Sequence, residues 1–85
     1  MNIQLRFFAS VREILGVSQE TLDVPSHIST IGEVRQLLIQ RGGIWADALS
    51  ESRVLRMAYN QVMSDAETAI SDGCEIAFFP PVTGG

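Results

Sequence analysis

The chain has 85 residues, with a hydrophobic fraction of 46% and a formal net charge of −4, as expected of one small acidic domain. This charge argues against nucleic acid and anionic membranes as partners, and the absence of lysine excludes a Schiff base or an isopeptide bond on the chain's own side chains. Cys74 is the only cysteine, which excludes an internal disulfide and a four-cysteine metal site. His27 is the only histidine. We find no signal peptide or membrane-spanning stretch and therefore expect a cytoplasmic protein.

The first predicted element is a strand over residues 1–9, in which apolar and polar residues alternate. This alternation leaves Phe8 as an aromatic side chain on the face that should be polar. The positions that should face the core are Ile3, Leu5 and Phe7. Ser10 and Glu13 have the spacing of a capping box, which predicts a short helix that begins after Ser10 and ends at Gly16.

The main helix of the chain is predicted after a second strand. Residues 20–24 alternate again and form this strand. Thr30 and Glu33 then make a second capping box, and apolar residues recur every three or four positions behind it. The glycine pair at 42–43 should end this helix. Residues 44–49 should add one further helical turn.

Three more strands are predicted in the second half of the chain. Residues 54–60 and 62–63 alternate on either side of an Asn60-Gln61 turn, and an Asp72-Gly73 turn precedes a last strand over residues 75–79. The side chains of this last strand that should face inward are Ile76 and Phe78. Those that should face outward are Ala77 and Phe79.

The chain ends with the segment Pro80-Pro81-Val82-Thr83-Gly84-Gly85. The two prolines have no backbone N–H group and cannot extend a central strand, so they should direct the chain away from the sheet. Gly84 and Gly85 have no side chain, so a terminal carboxylate there fits a narrow channel in a partner. If the first and last strands are neighbours, Phe8 and Phe79 form one exposed apolar patch where this tail begins.

Two segments carry a family resemblance. Phe7-Phe8-Ala9-Ser10-Val11-Arg12-Glu13 and Ala77-Phe78-Phe79-Pro80-Pro81-Val82-Thr83-Gly84-Gly85 resemble the small subunits of molybdopterin synthase, and the order of elements resembles the ubiquitin-like β-grasp. The resemblance implies an α+β fold in which a mixed sheet of four to five strands packs on one main helix. It also implies a β-grasp domain over residues 1–81 and a flexible Gly-Gly tail over residues 82–85.

In that family the small subunit is a sulfur carrier in molybdenum cofactor biosynthesis. The resemblance implies that Gly85 is adenylated, converted to a thiocarboxylate and used to donate sulfur to cyclic pyranopterin monophosphate, which forms the molybdopterin dithiolene. The chain would thus be the sulfur-donating subunit of a sulfurtransferase whose pocket residues lie mostly on a large subunit. No cofactor is expected on the chain itself, since ATP is consumed by the activating partner.

The same resemblance implies partners and contact residues. The partners are the large subunit, in a heterotetramer, an adenylating enzyme of the ubiquitin-activating type, and a sulfur donor protein. Phe8 and Phe79 match positions used for docking, and Arg12 should contact one of the partners. The residues that should line the inserted tail are Val82, Thr83 and Gly84. No residue is expected to bind a metal.

Three other functions fit the same residues. A sulfur carrier for thiazole synthesis would use the same terminal chemistry, although such chains are typically shorter and lack the Phe-Phe-Pro-Pro approach to the tail. A ubiquitin-like modifier would form isopeptide bonds with lysines of other proteins. A plain β-grasp interaction domain would have a chemically inert tail.

Overall fold

The structure, a computed structural model that describes residues 1–81, contains one five-stranded sheet and three helices that pack against it. The strands are β1 (Asn2–Phe7), β2 (Gln19–Asp23), β3 (Arg56–Tyr59), β4 (Val62–Ser64) and β5 (Glu75–Phe79). The helices are α1 (Ala9–Leu15), α2 (Ile31–Ile39) and α3 (Gly43–Ala48). The predicted tail, residues 82–85, lies outside the described residues.

The strand order across the sheet is β2-β1-β5-β3-β4. The central pair, β1 and β5, is parallel, and Phe7 lies opposite Phe78 in its register. The other neighbours, β1 with β2, β5 with β3 and β3 with β4, are antiparallel. This mixed sheet, with the nine-residue α2 as its main helix, is the ubiquitin-like β-grasp, and it confirms the predicted fold and the five-strand count.

The core lies between one face of the sheet and the helices. The odd positions of β1 are fully buried, as the alternation predicted, and so are the inward positions of β5. Helix α2 contributes the apolar stripe that covers them. The fully buried side chains of these three elements are Ile3, Leu5, Phe7, Ile31, Val34, Leu38, Ile76 and Phe78.

Helix α2 begins with the predicted capping box. The Thr30 hydroxyl accepts a hydrogen bond from the Glu33 amide at 3.2 Å, and the Glu33 carboxylate accepts one from the Thr30 amide at 3.1 Å. The Ser29 amide also donates to this carboxylate, at 2.8 Å. These donors lower the pKa of Glu33, the Ser29 amide being the largest cause, because they stabilise the ionised carboxylate.

The predicted start of α1 is wrong. Ser10 is not the N-cap; Phe8 occupies that position, with no side-chain hydrogen bond to the first turn. The reason is the backbone of Ala9, whose φ of 52° turns the chain out of β1 before Ser10 is reached. The predicted end of the helix is confirmed, since Gly16 has a φ of 75° and its amide donates to the Arg12 carbonyl at 2.8 Å.

The glycine pair at 42–43 does not end α2, which stops at Ile39. Gly42 is instead the N-cap of α3, where its φ of 74° bends the chain and its carbonyl accepts a hydrogen bond from the Trp45 amide at 3.1 Å. The predicted helical turn after it is confirmed as α3. Trp45 packs edge-on against Phe7, with ring centroids 5.7 Å apart, and so joins this helix to the core.

Two strands are shorter than predicted. β1 ends at Phe7 because Phe8 and Ala9 lead into α1. β3 begins at Arg56, and Val54 outside it is 72% exposed. Asn60 and Gln61 form the predicted turn between β3 and β4, with φ angles of 48° and 69°.

Candidate functional site

Phe8 and Phe79 lie side by side at the end of the central parallel pair of strands. Phe8 follows β1 directly and Phe79 is the last residue of β5, so the parallel register brings them together. Their ring centroids are 6.4 Å apart and their planes meet at 82°, an edge-to-face contact. Phe8 is 43% exposed and Phe79 is half-buried. The predicted patch is therefore confirmed, and we call Phe8, Phe79 and the half-buried Pro80 the tail-root patch.

The backbone around Phe8 holds its ring on the outside of the sheet. The Phe8 amide donates to the Phe78 carbonyl at 3.3 Å, which continues the ladder by one step beyond β1. Ala9 then adopts the left-handed region, which costs a residue other than glycine about 1–2 kcal/mol. Such strained positions cluster at functional sites, and Ala9 lines the same cavity as the tail-root patch.

An open cavity of about 420 Å³ lies beside the tail-root patch, on the sheet face opposite the core. Its floor is formed by Ala58 of β3 and Ala77 of β5, which are direct cross-strand partners. Although they point away from the core, these alanines are only 8% and 5% exposed, because larger side chains surround them. Sequence reasoning missed this cavity; the available signal was two small apolar residues at outward strand positions.

The rim of the cavity is polar. Arg6 pairs with Ala77 across β1 and β5, Glu75 stands two residues before Ala77, and Gln61 comes from the β3–β4 turn. The Arg6 guanidinium donates to the Gln19 side chain at 3.3 Å, which draws it toward β2. An apolar floor inside a polar rim is the composition of a protein docking surface.

Arg12 lies on α1, one helical turn after Phe8. Its side chain is exposed, and its amide donates to the Phe8 carbonyl over 3.4 Å. The structure therefore brings Arg12 into the same region as Phe8 and Phe79. The remaining predicted site residues, Val82, Thr83, Gly84 and Gly85, lie outside the described residues, so their roles stay predictions.

Neither Cys74 nor His27 lines this cavity. Cys74 is buried immediately before β5, where its carbonyl accepts a hydrogen bond from the Gln4 amide at 2.8 Å. His27 is exposed in the turn before α2. Residues 1–81 contain no group of three or more His, Cys, Asp or Glu side chains placed to hold a metal ion.

No helix among residues 1–81 has the length and apolar character that crossing a membrane requires.

Three related proteins are similar over almost the whole chain. The molybdopterin synthase sulfur carrier subunits of Haemophilus influenzae and Escherichia coli are 42% and 39% identical to it, each over 83 residues that cover 98% of this chain and 99% of the relative. Small archaeal modifier protein 3 of Haloferax volcanii is 33% identical over 94 residues, with full coverage of both chains.

Solved structures share the fold. SAMP1 from Haloferax volcanii superposes with a TM-score of 0.76 at 23% identity, and a chain from the complex of subunits 1 and 2 of molybdopterin-converting factor from Helicobacter pylori superposes with a TM-score of 0.68 at 24% identity. Both matches cover all of this chain and all of the other. The ThiS family model matches residues 5–85. With this match and relatives of up to 42% identity, the chain belongs to the ThiS family.

Proposed function

We propose that this chain is the sulfur carrier subunit of a molybdopterin synthase and that Gly85 carries the sulfur. The observation that supports this proposal most is the position of the tail-root patch, immediately before the tail that ends in Gly84-Gly85. The relatives of 42% and 39% identity are molybdopterin synthase sulfur carrier subunits, which supports molybdopterin synthesis as the pathway.

The tail needs help from the folded body to bind a partner. Ordering the four residues of 82–85 costs about 1–2 kcal/mol each in backbone entropy. Each main-chain hydrogen bond to a partner returns only about 0.5–1.5 kcal/mol. Burial of Val82 returns about 1.5–3 kcal/mol, and glycine adds no apolar contact. An apolar surface beside the tail supplies the missing affinity. The tail-root patch has this character, since the Phe8 side chain is 43% exposed.

The proposed chemistry takes place at one carboxyl group. A carboxylate is a poor electrophile, so an adenylating enzyme joins the Gly85 carboxylate to the α-phosphorus of ATP and releases pyrophosphate. A sulfur donor protein then delivers sulfur at the sulfide level. This sulfur forms a bond to the acyl carbon, the bond from that carbon to AMP breaks, and a thiocarboxylate and free AMP result. In the large subunit this sulfur passes to cyclic pyranopterin monophosphate. A dithiolene contains two sulfur atoms, so two loaded chains are consumed for each molybdopterin formed.

Each participant has its own role in this scheme. The large subunit receives the tail and contributes most of the residues around the pterin, in a heterotetramer of two large and two small subunits. ATP is used by the adenylating enzyme, and the chain itself holds no cofactor. We place these steps in the cytoplasm. Arg12, exposed beside Phe8, contacts one of the two partners.

Mass spectrometry of the C-terminal peptide tests this proposal. After incubation with the adenylating enzyme, ATP and a sulfur donor, we expect one oxygen of the Gly85 carboxyl group to be replaced by sulfur. A chain with one additional residue after Gly85 is the matched control and should not be loaded. An unchanged mass for the unmodified chain with its cognate activating enzyme would contradict the proposal.

A second candidate function is protein modification, which the 33% identical small archaeal modifier protein 3 favours. Both functions begin with adenylation of the terminal glycine, so activation alone does not separate them. The distinguishing product is an isopeptide bond between Gly85 and a lysine of another protein. Its detection after activation, without sulfur transfer to a pterin precursor, would favour the modifier.

A further inference from the structure

The cavity beside the tail-root patch has a defined concave shape, which docking on a flat apolar surface would not require. In an antiparallel pair, side chains directly opposite each other have Cβ atoms about 4.5–5.5 Å apart, and both point to the same side of the sheet. Ala58 and Ala77 are such a pair, and each ends at its Cβ atom. The result is a depression at the centre of the outer sheet face, which we call the alanine socket.

Larger side chains stand around the alanine socket on every side that the sheet register defines. In the cross-strand row that contains the two alanines, Arg6 stands beside Ala77 and Met63 beside Ala58. Phe79 is two residues after Ala77 in the same strand and Glu75 two residues before it. The alanines are therefore nearly covered at the sides and open only outward.

We propose that the alanine socket receives one bulky apolar side chain, aliphatic or aromatic, that projects from the large subunit. This inference rests on the function proposed above and identifies how the partner is recognised. Pro80 lines the cavity and the chain continues from it into the tail, so a partner that takes up the tail also covers the socket. The socket therefore adjoins the tail-root patch, the apolar surface that docks on the partner when the tail is inserted.

The composition of the socket selects a neutral apolar occupant. Its floor and one wall are the alanine methyl groups and the rings of Phe8 and Phe79. Its rim holds Arg6 and Glu75, and a second arginine, Arg56, stands exposed on the same face opposite Phe79. These charges surround the floor and do not lie in it, so the floor itself offers only apolar contact. A single large side chain in a central apolar pocket with a polar rim is the usual arrangement of an interface hot spot.

Filling the socket distinguishes this proposal from docking on a flat apolar patch. Ala77→Leu adds apolar surface at the centre of the outer face, so a flat patch would keep or gain affinity. A socket loses affinity, because the added side chain occupies the space that the partner needs. Thr21→Leu is the matched control: Thr21 is exposed on β2, on the same outer face opposite Gln4, and lies outside the cavity.

The experiment measures binding of the full-length chain to its cognate large subunit. We expect Ala77→Leu to weaken binding by about tenfold or more and Thr21→Leu to change it by less than about twofold. Melting temperatures show whether each variant is folded. Ala58→Leu fills the same socket from β3 and gives the same test if Ala77→Leu does not fold.

Three results overturn the inference, and they are distinguishable. If the unmodified chain does not bind the large subunit, the proposed function fails and the inference fails with it. If the unmodified chain binds, and both folded leucine variants bind equally well or more tightly and are still adenylated, only the socket is wrong. If the leucine variants bind the large subunit normally but are no longer adenylated, the socket serves the activating enzyme instead.

Discussion

Four phenylalanines occur as two adjacent pairs, and each pair divides between the two faces of the sheet. Phe7 and Phe78 are fully buried, whereas Phe8 is 43% exposed and Phe79 is half-buried. Alternation along a strand requires this division, because successive side chains point to opposite faces. The sequence alone therefore predicted which ring of each pair would be available to a partner.

Alanine substitutions of Phe78 and Phe79 test this division between a core ring and a binding ring. Phe79→Ala should weaken binding to the large subunit by more than about 1 kcal/mol, because it removes one ring of the tail-root patch. Its free energy of unfolding should change by about 1 kcal/mol or less. Phe78→Ala is the matched control and should instead lower the free energy of unfolding by about 3–5 kcal/mol, since it empties a fully buried site.

Isothermal titration calorimetry and denaturant unfolding of both variants provide these two measurements. If Phe79→Ala binds normally and unfolds much more easily, the Phe79 ring belongs to the core and not to the interface.

Other residues of the site were beyond prediction from the sequence. The Ser10 capping pattern was present, but the left-handed conformation of Ala9 made Phe8 the N-cap, and an Ala-Ser dipeptide carries no signal for that conformation. The contact between Ala58 and Ala77 depends on β3 lying beside β5. Alternation predicted that Ala77 faces outward, but strand order decides which residue stands opposite it.

At the scale of elements, α2 shows both a predictable and an unpredictable feature. Its capping box was predicted because Thr30 and Glu33 interact locally. The burial of Arg35 was not, since an arginine on a helix is usually exposed. Arg35 is 5% exposed, and its guanidinium donates to the carbonyls of Leu49, Ser50 and Arg53 at 2.6–3.0 Å. These acceptors lie in the segment after α3, which no local pattern relates to α2.

The capping box also predicts a pH dependence. The pKa of Glu33 is lower in the folded chain than in the unfolded chain, so its ionised form stabilises the fold. This stabilisation is complete above the unfolded pKa and is lost as the pH falls through the lowered folded pKa. Glu33→Gln keeps the shape of the side chain and removes its charge, so it should lower stability at neutral pH and make no difference in strong acid.

Thermal unfolding of the unmodified chain and Glu33→Gln across acid pH measures this difference. Glu67→Gln removes one negative charge from an exposed loop position and should not reproduce the loss at neutral pH. A difference for Glu33→Gln that stays constant into strong acid would show that the carboxylate acts through its shape and not its charge.

At the scale of the whole molecule, the fold joins the two ends of the described chain. Strand β1 and strand β5 are far apart in sequence but form the central parallel pair, and this pairing brings Phe8 to Phe79. The family resemblance predicted a mixed sheet, whereas the pairing of the first and last strands entered the prediction only as a condition, which the structure meets. The division into a domain over residues 1–81 and a tail over 82–85 stays a prediction, since the second part lies outside the described residues.

The central claim is that Gly85 delivers sulfur to a pterin inside the large subunit. The most direct test is a single-turnover reaction that contains only the chain loaded with a Gly85 thiocarboxylate, the cognate large subunit and cyclic pyranopterin monophosphate. We expect molybdopterin to form as the chain returns to its carboxylate form, with two loaded chains consumed for each molecule formed. A thiocarboxylate that persists unchanged while the chain is bound to the large subunit and the precursor would contradict the claim.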